Sequence, residues 1–286
     1  MPGIDQVEGL CTKMSQSRFS ILIAACVLLF IGGQIQGQQQ SLGLVPAMVD
    51  ANVKRGLTYT QNFTIVNNTT TRLRFRCSVG DYWYDDHNGR LVGRPGTLPR
   101  SASTWVQFTP NELIIDAHGS ATVNAIISVP GDASGGYYTI PFFEGSPLEP
   151  SSQQDGKANS TFGVRLGGLL MLATEGASDY NVEIKSAHLQ LPTESSELQI
   201  QLDIHNRGNA HVRLRGLFAI LDTTGKLVGR GRIEEKVFLP GQQNPMQAPW
   251  GDQLSPGHYT AIITLTYERA GTEPASLVYE LPFDLK

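Results

Sequence analysis

The sequence predicts an all-β protein of two antiparallel β-sandwich domains in tandem, preceded by an N-terminal signal segment, and three observations predict it. The first is a duplication. Gly89-Arg90-Leu91-Val92-Gly93-Arg94 returns as Gly225-Lys226-Leu227-Val228-Gly229-Arg230, identical at five of six positions. An alternating stretch closing on an Asn, at Asn67 and at Asn206, precedes each copy, and a Gly-x-Tyr-Thr start, at Gly136 and at Gly257, follows each. Three markers in one order, offset by roughly 120 to 140 residues, describe two copies of a domain-sized unit. The second is composition: 30 glycines and 16 prolines among 286 residues, with 40% hydrophobic and only 17% charged, make many turns and few helices. The third is periodicity, since apolar residues alternate at period two along most of the chain and long helical periodicity is absent.

The elements follow in order. Lys13 and Arg18 precede the apolar run Ile21–Ile31, and small and polar residues lead to Gly37, so residues 1–37 read as a signal peptide or, if retained, an N-terminal anchor. The run is shorter than the roughly 17–25 residues of a membrane span. The first unit, 42–174, alternates from Leu57 to Val66, turns on Asn67-Asn68-Thr69, and alternates again from Leu73 to Val79. Asn88-Gly89 supplies a hairpin tip. Strands are expected at Trp105–Pro110, Leu113–Ile115, Ala121–Val129 and Tyr137–Phe143. A long polar loop, Ser146–Asn159, and an apolar closing strand, Phe162–Leu172, complete the unit. Thr174–Ser178 is a linker. The second unit, 178–286, offers strands at Val182–Leu191, Leu198–Asn206, Val212–Leu221, Lys226–Leu239, Tyr259–Tyr267 and Leu277–Leu285, and no C-terminal anchor is expected. About seven strands per unit, with turns every ~8–12 residues, is the pattern of an antiparallel sandwich.

Charge and chemistry narrow the function. A net charge of −4 gives no electrostatic case for nucleic acid or an anionic membrane surface, and Arg72, Arg74 and Arg76 alternate as a solvated sheet face would. Without the leader the one cysteine is Cys77, so no intrachain disulfide is available, as in a bacterial envelope protein. No nucleophile elbow, Cys/His pair or phosphate loop is present, so no enzyme, no cofactor and no metal are expected. His205 and His211 flank a turn and lack a third ligand, which favours a hairpin with exposed imidazoles. Asp81, Asp85, Asp86 and Asn88 could surround a Ca²⁺, but the spacing is not that of an EF-hand. Tyr82, Trp83 and Tyr84 either stack on sugar rings or are buried in the sandwich. The strand from Phe162 to Leu172 is apolar on both faces, with Arg165 its one charge. It is either central in its sheet or offered to a partner by strand addition through Val164, Arg165, Leu166, Leu169, Leu170 and Leu172.

Three stretches of the first unit carry a family resemblance: Phe63 to Asn68, Trp105 to Pro110 with Leu113 and Gly119, and the apolar closing strand before a second sandwich. In these the chain resembles the pilus-assembly periplasmic chaperones, and more weakly the WxL-interacting proteins of Gram-positive walls. The resemblance implies two immunoglobulin-like domains, and a non-enzymatic periplasmic protein that binds pilin-like subunits by lending a strand. It also implies two basic cleft residues for the subunit's C-terminal carboxylate. One maps near Ala51, with Lys54 and Arg55 close by, and the other to Arg165. The alternative is an envelope scaffold at the cell surface that holds wall polymer or another surface protein through Tyr82, Trp83 and Tyr84.

Overall fold

A computed structural model describes residues 41–148, 163–191, 197–251, 254–269 and 272–286, and the expected signal segment 1–37 lies outside them. The described residues are almost entirely β-strand, without an α-helix. In chain order the first strands are Leu42–Val45 (β1), Met48–Val53 (β2), Thr58–Asn67 (β3), Leu73–Tyr84 (β4), Arg90–Gly93 (β5) and Val106–Thr109 (β6). Glu112–Ile115 (β7), Ser120–Ser128 (β8), Gly136–Pro147 (β9), Val164–Gly167 (β10) and Leu169–Thr174 (β11) follow. One sheet is ordered β1-β3-β8-β6 and its partner β2-β11-β9-β4-β5, with β10 also on β9 and β7 on β4. Their inner faces meet in one core that holds Phe63, Phe75, Val123, Phe143 and Leu172.

The later strands are Val182–Gln190 (β12), Leu198–Asn206 (β13), Val212–Asp222 (β14), Leu227–Phe238 (β15), Gln243–Trp250 (β16), Gly257–Arg269 (β17) and Thr272–Leu285 (β18). They form sheets β12-β13-β16 and β15-β14-β17-β18 around a separate core. Alternation decides which side chains enter it. Along β13, Leu198, Ile200, Leu202 and Ile204 are buried and the residues between them half-buried. The all-β expectation of antiparallel sandwiches therefore holds, with one exception: β2 runs parallel to β11. The chain leaves the first sheet after β1, crosses at Pro46-Ala47, and arrives beside β11 travelling in the same direction.

The duplicated markers have shared physical causes. Asn67 and Asn206 are both fully buried at the ends of β3 and β13. Asn67 Nδ2 donates to the carbonyls of Thr71, Ile115 and Asp116, and its Oδ1 accepts from the Thr69 amide. Asn206 repeats this with the carbonyls of Ala210 and Phe238 and the amide of Gly208. Each side chain thus ties its own turn to the end of a neighbouring strand by satisfying buried backbone groups. The second glycine of each hexapeptide sits under a bulky neighbour. A Cβ on Gly93 would lie 2.7 Å from Leu98 Cγ, and one on Gly229 would lie 2.7 Å from the Trp250 ring. Asn206→Ala is expected to cost about 2 kcal/mol, because it takes a buried donor from the Ala210 and Phe238 carbonyls. Urea unfolding with a loss under about 0.5 kcal/mol would show that the turn is held by something else.

Some elements escaped the sequence reading. The strand β16 is Gln-Asn-Pro-Met-Gln-Ala-Pro-Trp, and two prolines weaken its strand signal. They are tolerated because β16 is an edge, paired only with β13. The strands β1 and β2 are short and separated by Pro46, too little for a periodic signal. The expected loop Ser146–Asn159 begins later than its composition indicated, since β9 continues to Pro147, and residues 149–159 lie outside the described ones.

Candidate functional site

The apolar closing strand splits into two environments. In register it is continuous: Gly167 lies opposite Phe142, and Leu170 opposite Thr139, all along β9. On its other side the strand is covered only in part. The Leu169 amide donates to the Ala47 carbonyl, and from there on β2 pairs with every residue of β11. Before that point the first strand has crossed to the opposite sheet as β1, so β10 has no ladder partner on its outer side among the described residues. The edge is therefore made by the sheet switch at Pro46-Ala47.

Direction of the backbone groups follows from parity. The Gly168 amide donates to Pro141 of β9 while the Leu169 amide points to Ala47. By the two-residue alternation, Val164 and Leu166 direct their amides to β9, and Arg165 and Gly167 direct theirs outward. Val164 and Leu166 are half-buried, and Leu166 packs on the core of the first sandwich. The edge strand of the opposite sheet at this mouth is β1. An added strand would find outward N–H and C=O groups on one side and apolar side chains beneath it.

The six residues expected to bind by strand addition thus separate. Val164, Arg165 and Leu166 lie on the open strand. Leu169, Leu170 and Leu172 do not: β11 is paired on both edges, and Leu170 and Leu172 are fully buried in the core. The apolar run predicted one long interactive strand, whereas its second half is apolar because it is central. Phe162 lies outside the described residues.

The placement of Arg165 differs from that of a cleft anchor. Its guanidinium pairs with Glu144 at 3.0 Å and lies 3.6 Å from the Phe142 ring centroid. Glu144 is six residues along β9 from Tyr138, which packs at the junction of the sandwiches, and that separation is roughly 20 Å at strand rise. Around Arg165 an open groove of about 460 Å³ is lined by Arg74, Arg76, Ser146 and Val164. Arg72, Arg74 and Arg76 form the solvated face expected, paired with Asp116 and Glu112. Lys54 is exposed and loosely paired with Glu175 at 3.9 Å, and Arg55 is exposed.

A basic residue that does stand between the sandwiches is Arg213, which the sequence reading missed. Its guanidinium donates to Asp50 Oδ2 at 2.8 Å and to Glu235 Oε1 at 2.8 Å, and His211 Nε2 lies 2.9 Å from Asp50 Oδ1. Burial would raise the Asp50 pKa, but the hydrogen bonds and charges of His211 and Arg213 prevail and hold it below the usual carboxylate value. His211 is buried, which corrects the expectation of an exposed imidazole; its turn is covered by β2 and β9. No signal within the second unit could reveal this, because its partner Asp50 is 161 residues away.

The aromatic segment belongs to the same junction. Trp83 stacks on Tyr84 at 4.9 Å and tilts against Tyr138 at 5.6 Å. The Tyr84 hydroxyl donates to the Pro240 carbonyl, and Asn88 Nδ2 to the Gln243 carbonyl. Tyr82, Trp83 and Tyr84 are half-buried against a small cluster of Tyr138, Met171 and Leu239. Asp81 is buried among backbone and hydroxyl donors, and Asp85 accepts from the His87 and Gly89 amides as a turn cap. The acidic residues of this segment therefore do not converge, and among the described residues no three His, Cys, Asp or Glu side chains group as metal ligands.

No protein-family model matches the sequence, and no curated protein matches it. Among solved structures the chain is similar to the class 5 fimbriae chaperone CfaA, at 12% identity and a TM-score of 0.46, over 84% of this chain and 98% of that one. It is similar to the E. coli chaperone DraB at 12% identity and a TM-score of 0.42, over 86% and 98% of the two chains. The Pseudomonas aeruginosa CupB2 chaperone is similar at 11% identity and a TM-score of 0.38, over 84% and 100%.

Proposed function

We propose that this chain is a non-enzymatic, chaperone-like protein of the bacterial periplasm or cell surface that binds subunits of a pilus-like structure by β-strand addition. Residues 42–174 would form the binding domain, 178–286 the second domain, and 1–37 the export segment. The observation that carries the reading is the edge of β10, which no strand among the described residues covers, lying at the mouth of a sandwich whose first strand has been diverted to the opposite sheet. Exposed apolar edges are normally blunted by Pro, charge or cover. Here the one charge, Arg165, is already paired with Glu144 along the sheet face and leaves the outward backbone groups free. Main-chain bonds would supply affinity and the apolar mouth specificity.

The test separates backbone from charge. Arg165→Pro removes an outward N–H while leaving the bonds to β9, and Arg165→Ala removes the charged side chain beyond Cβ and leaves the N–H in place. Tagged chains are recovered from the native envelope, with thermal melts confirming that both variants fold. Wild type and Arg165→Ala should retain a surface-structure subunit that Arg165→Pro loses. A subunit retained by Arg165→Pro sinks strand addition at this edge.

A further inference from the structure

The outer face of the β15-β14-β17-β18 sheet carries exposed apolar side chains that the second core does not use. Leu217 is 59% exposed, Leu227 50% and Val278 64%. Leu217 and Leu227 line an open hollow of about 670 Å³ that Ala219 and Ile262 floor. Register lines up the rows across the four strands. One reads Arg232, Leu217, Thr264, Val278, and the next Arg230, Ala219, Ile262, Glu280. The apolar strip therefore has arginines on its β15 flank and a glutamate on its β18 flank.

These three charges stand apart from their neighbours. On β14, Arg213 pairs with Glu235 and Arg215 with Glu268, whereas Arg230, Arg232 and Glu280 make no ion pair among the described residues. Geometry explains it: three strand spacings separate Arg230 from Glu280, about 14 Å, too far for a pair within one chain.

We propose that this face packs on the same face of a second copy, about a two-fold axis parallel to the strands. That axis exchanges the flanks, setting Arg230 and Arg232 of each copy against Glu280 of the other, with the apolar strips between them. The alternative axis, across the strands, would set arginine on arginine. An isologous contact needs such self-complementarity, and charge order selects the axis. The face spans on the order of 400 Å² per copy, from four strands ~4.8 Å apart and about six residues long. That is about half the ~800 Å² per partner of a standard interface, so the dimer is weak and salt-sensitive. The contact lies on the later strands and does not depend on strand addition at β10.

Sedimentation equilibrium of the full chain tests it. Wild type should show a monomer–dimer equilibrium that 1 M salt weakens. The variants Arg230→Glu/Arg232→Glu and Glu280→Arg should each raise the dimer dissociation constant roughly tenfold or more, by facing like charges. Mixing the two variants should restore dimer, because one then carries two acidic flanks and the other two basic flanks. A wild type that stays monomeric to its solubility limit overturns the proposal. So do variants that dimerise like wild type, or a mixture that fails to recover.

Discussion

Replacing Asp81 by Asn is expected to lower unfolding stability by about 3 kcal/mol, the scale of a buried charged acceptor set broken on one side. Asp81 is fully buried, and both of its oxygens are saturated. Oδ1 accepts from the Gly96 amide at 3.1 Å and from the hydroxyls of Ser101 and Ser103 at 2.5 and 2.6 Å. Oδ2 accepts from the amides of Thr97 and Leu98 at 2.6 and 2.8 Å. One carboxylate thus gathers the whole connection from β5 to β6. An asparagine keeps one acceptor oxygen and turns an NH₂ group toward two donors.

The same site sets a pH dependence. Burial alone would raise the Asp81 pKa. The Leu98 and Gly96 amides and the hydroxyls of Ser101 and Ser103 outweigh it and bring it below the ordinary 3.8. A carboxylate depressed in the folded state contributes stability in full above its unfolded value, and that contribution is lost as pH falls through the folded one. The gap between wild type and Asp81→Asn should therefore be constant near neutrality and narrow below about pH 3.8. Urea unfolding at pH 7 and pH 3 measures both. Equal stability of the two proteins at pH 7 would mean that the connection holds itself.

Phe143→Ala should cost about 3–5 kcal/mol, through lost burial and the cavity it leaves. Phe143 is fully buried, with the Phe63 and Phe108 rings each 5.7 Å away. It also stands opposite Cys77 on one side and Leu166 on the other, so it flanks β10 in the sheet and packs beside Leu166. A milder Phe143→Leu should therefore weaken subunit retention as well as stability. If urea midpoints fall while retention is untouched, the β10 edge does not depend on this core.

Much of the fold was legible because its signals are local. Alternation placed β3, β13, β14 and β17 within about two residues, since period two reports which face is buried. The Asn-ended strands and paired hexapeptides showed duplication because each copy solves the same local problem, a buried turn and a close approach beneath Leu98 or Trp250. The strand β16 was hidden because edge position, which excuses Pro245 and Pro249, is a property of the sheet rather than of the segment.

The candidate site divides in the same way. An apolar run from Phe162 to Leu172 looks alike along its length, yet among the described residues β2 covers Leu170 and Leu172 and no strand covers Val164 to Gly167 on that side. Which half is which depends on where a strand over a hundred residues earlier changes sheets. The junction of Asp50, His211, Arg213 and the Trp83 aromatics likewise joins groups that no sequence window holds together. By itself the sequence determined strand identity, turn chemistry and the doubled unit, because these follow from neighbouring side chains and backbone. Only the tertiary structure decided which edge stays open and which charges are shared, because pairing across sheets depends on where distant strands come to lie.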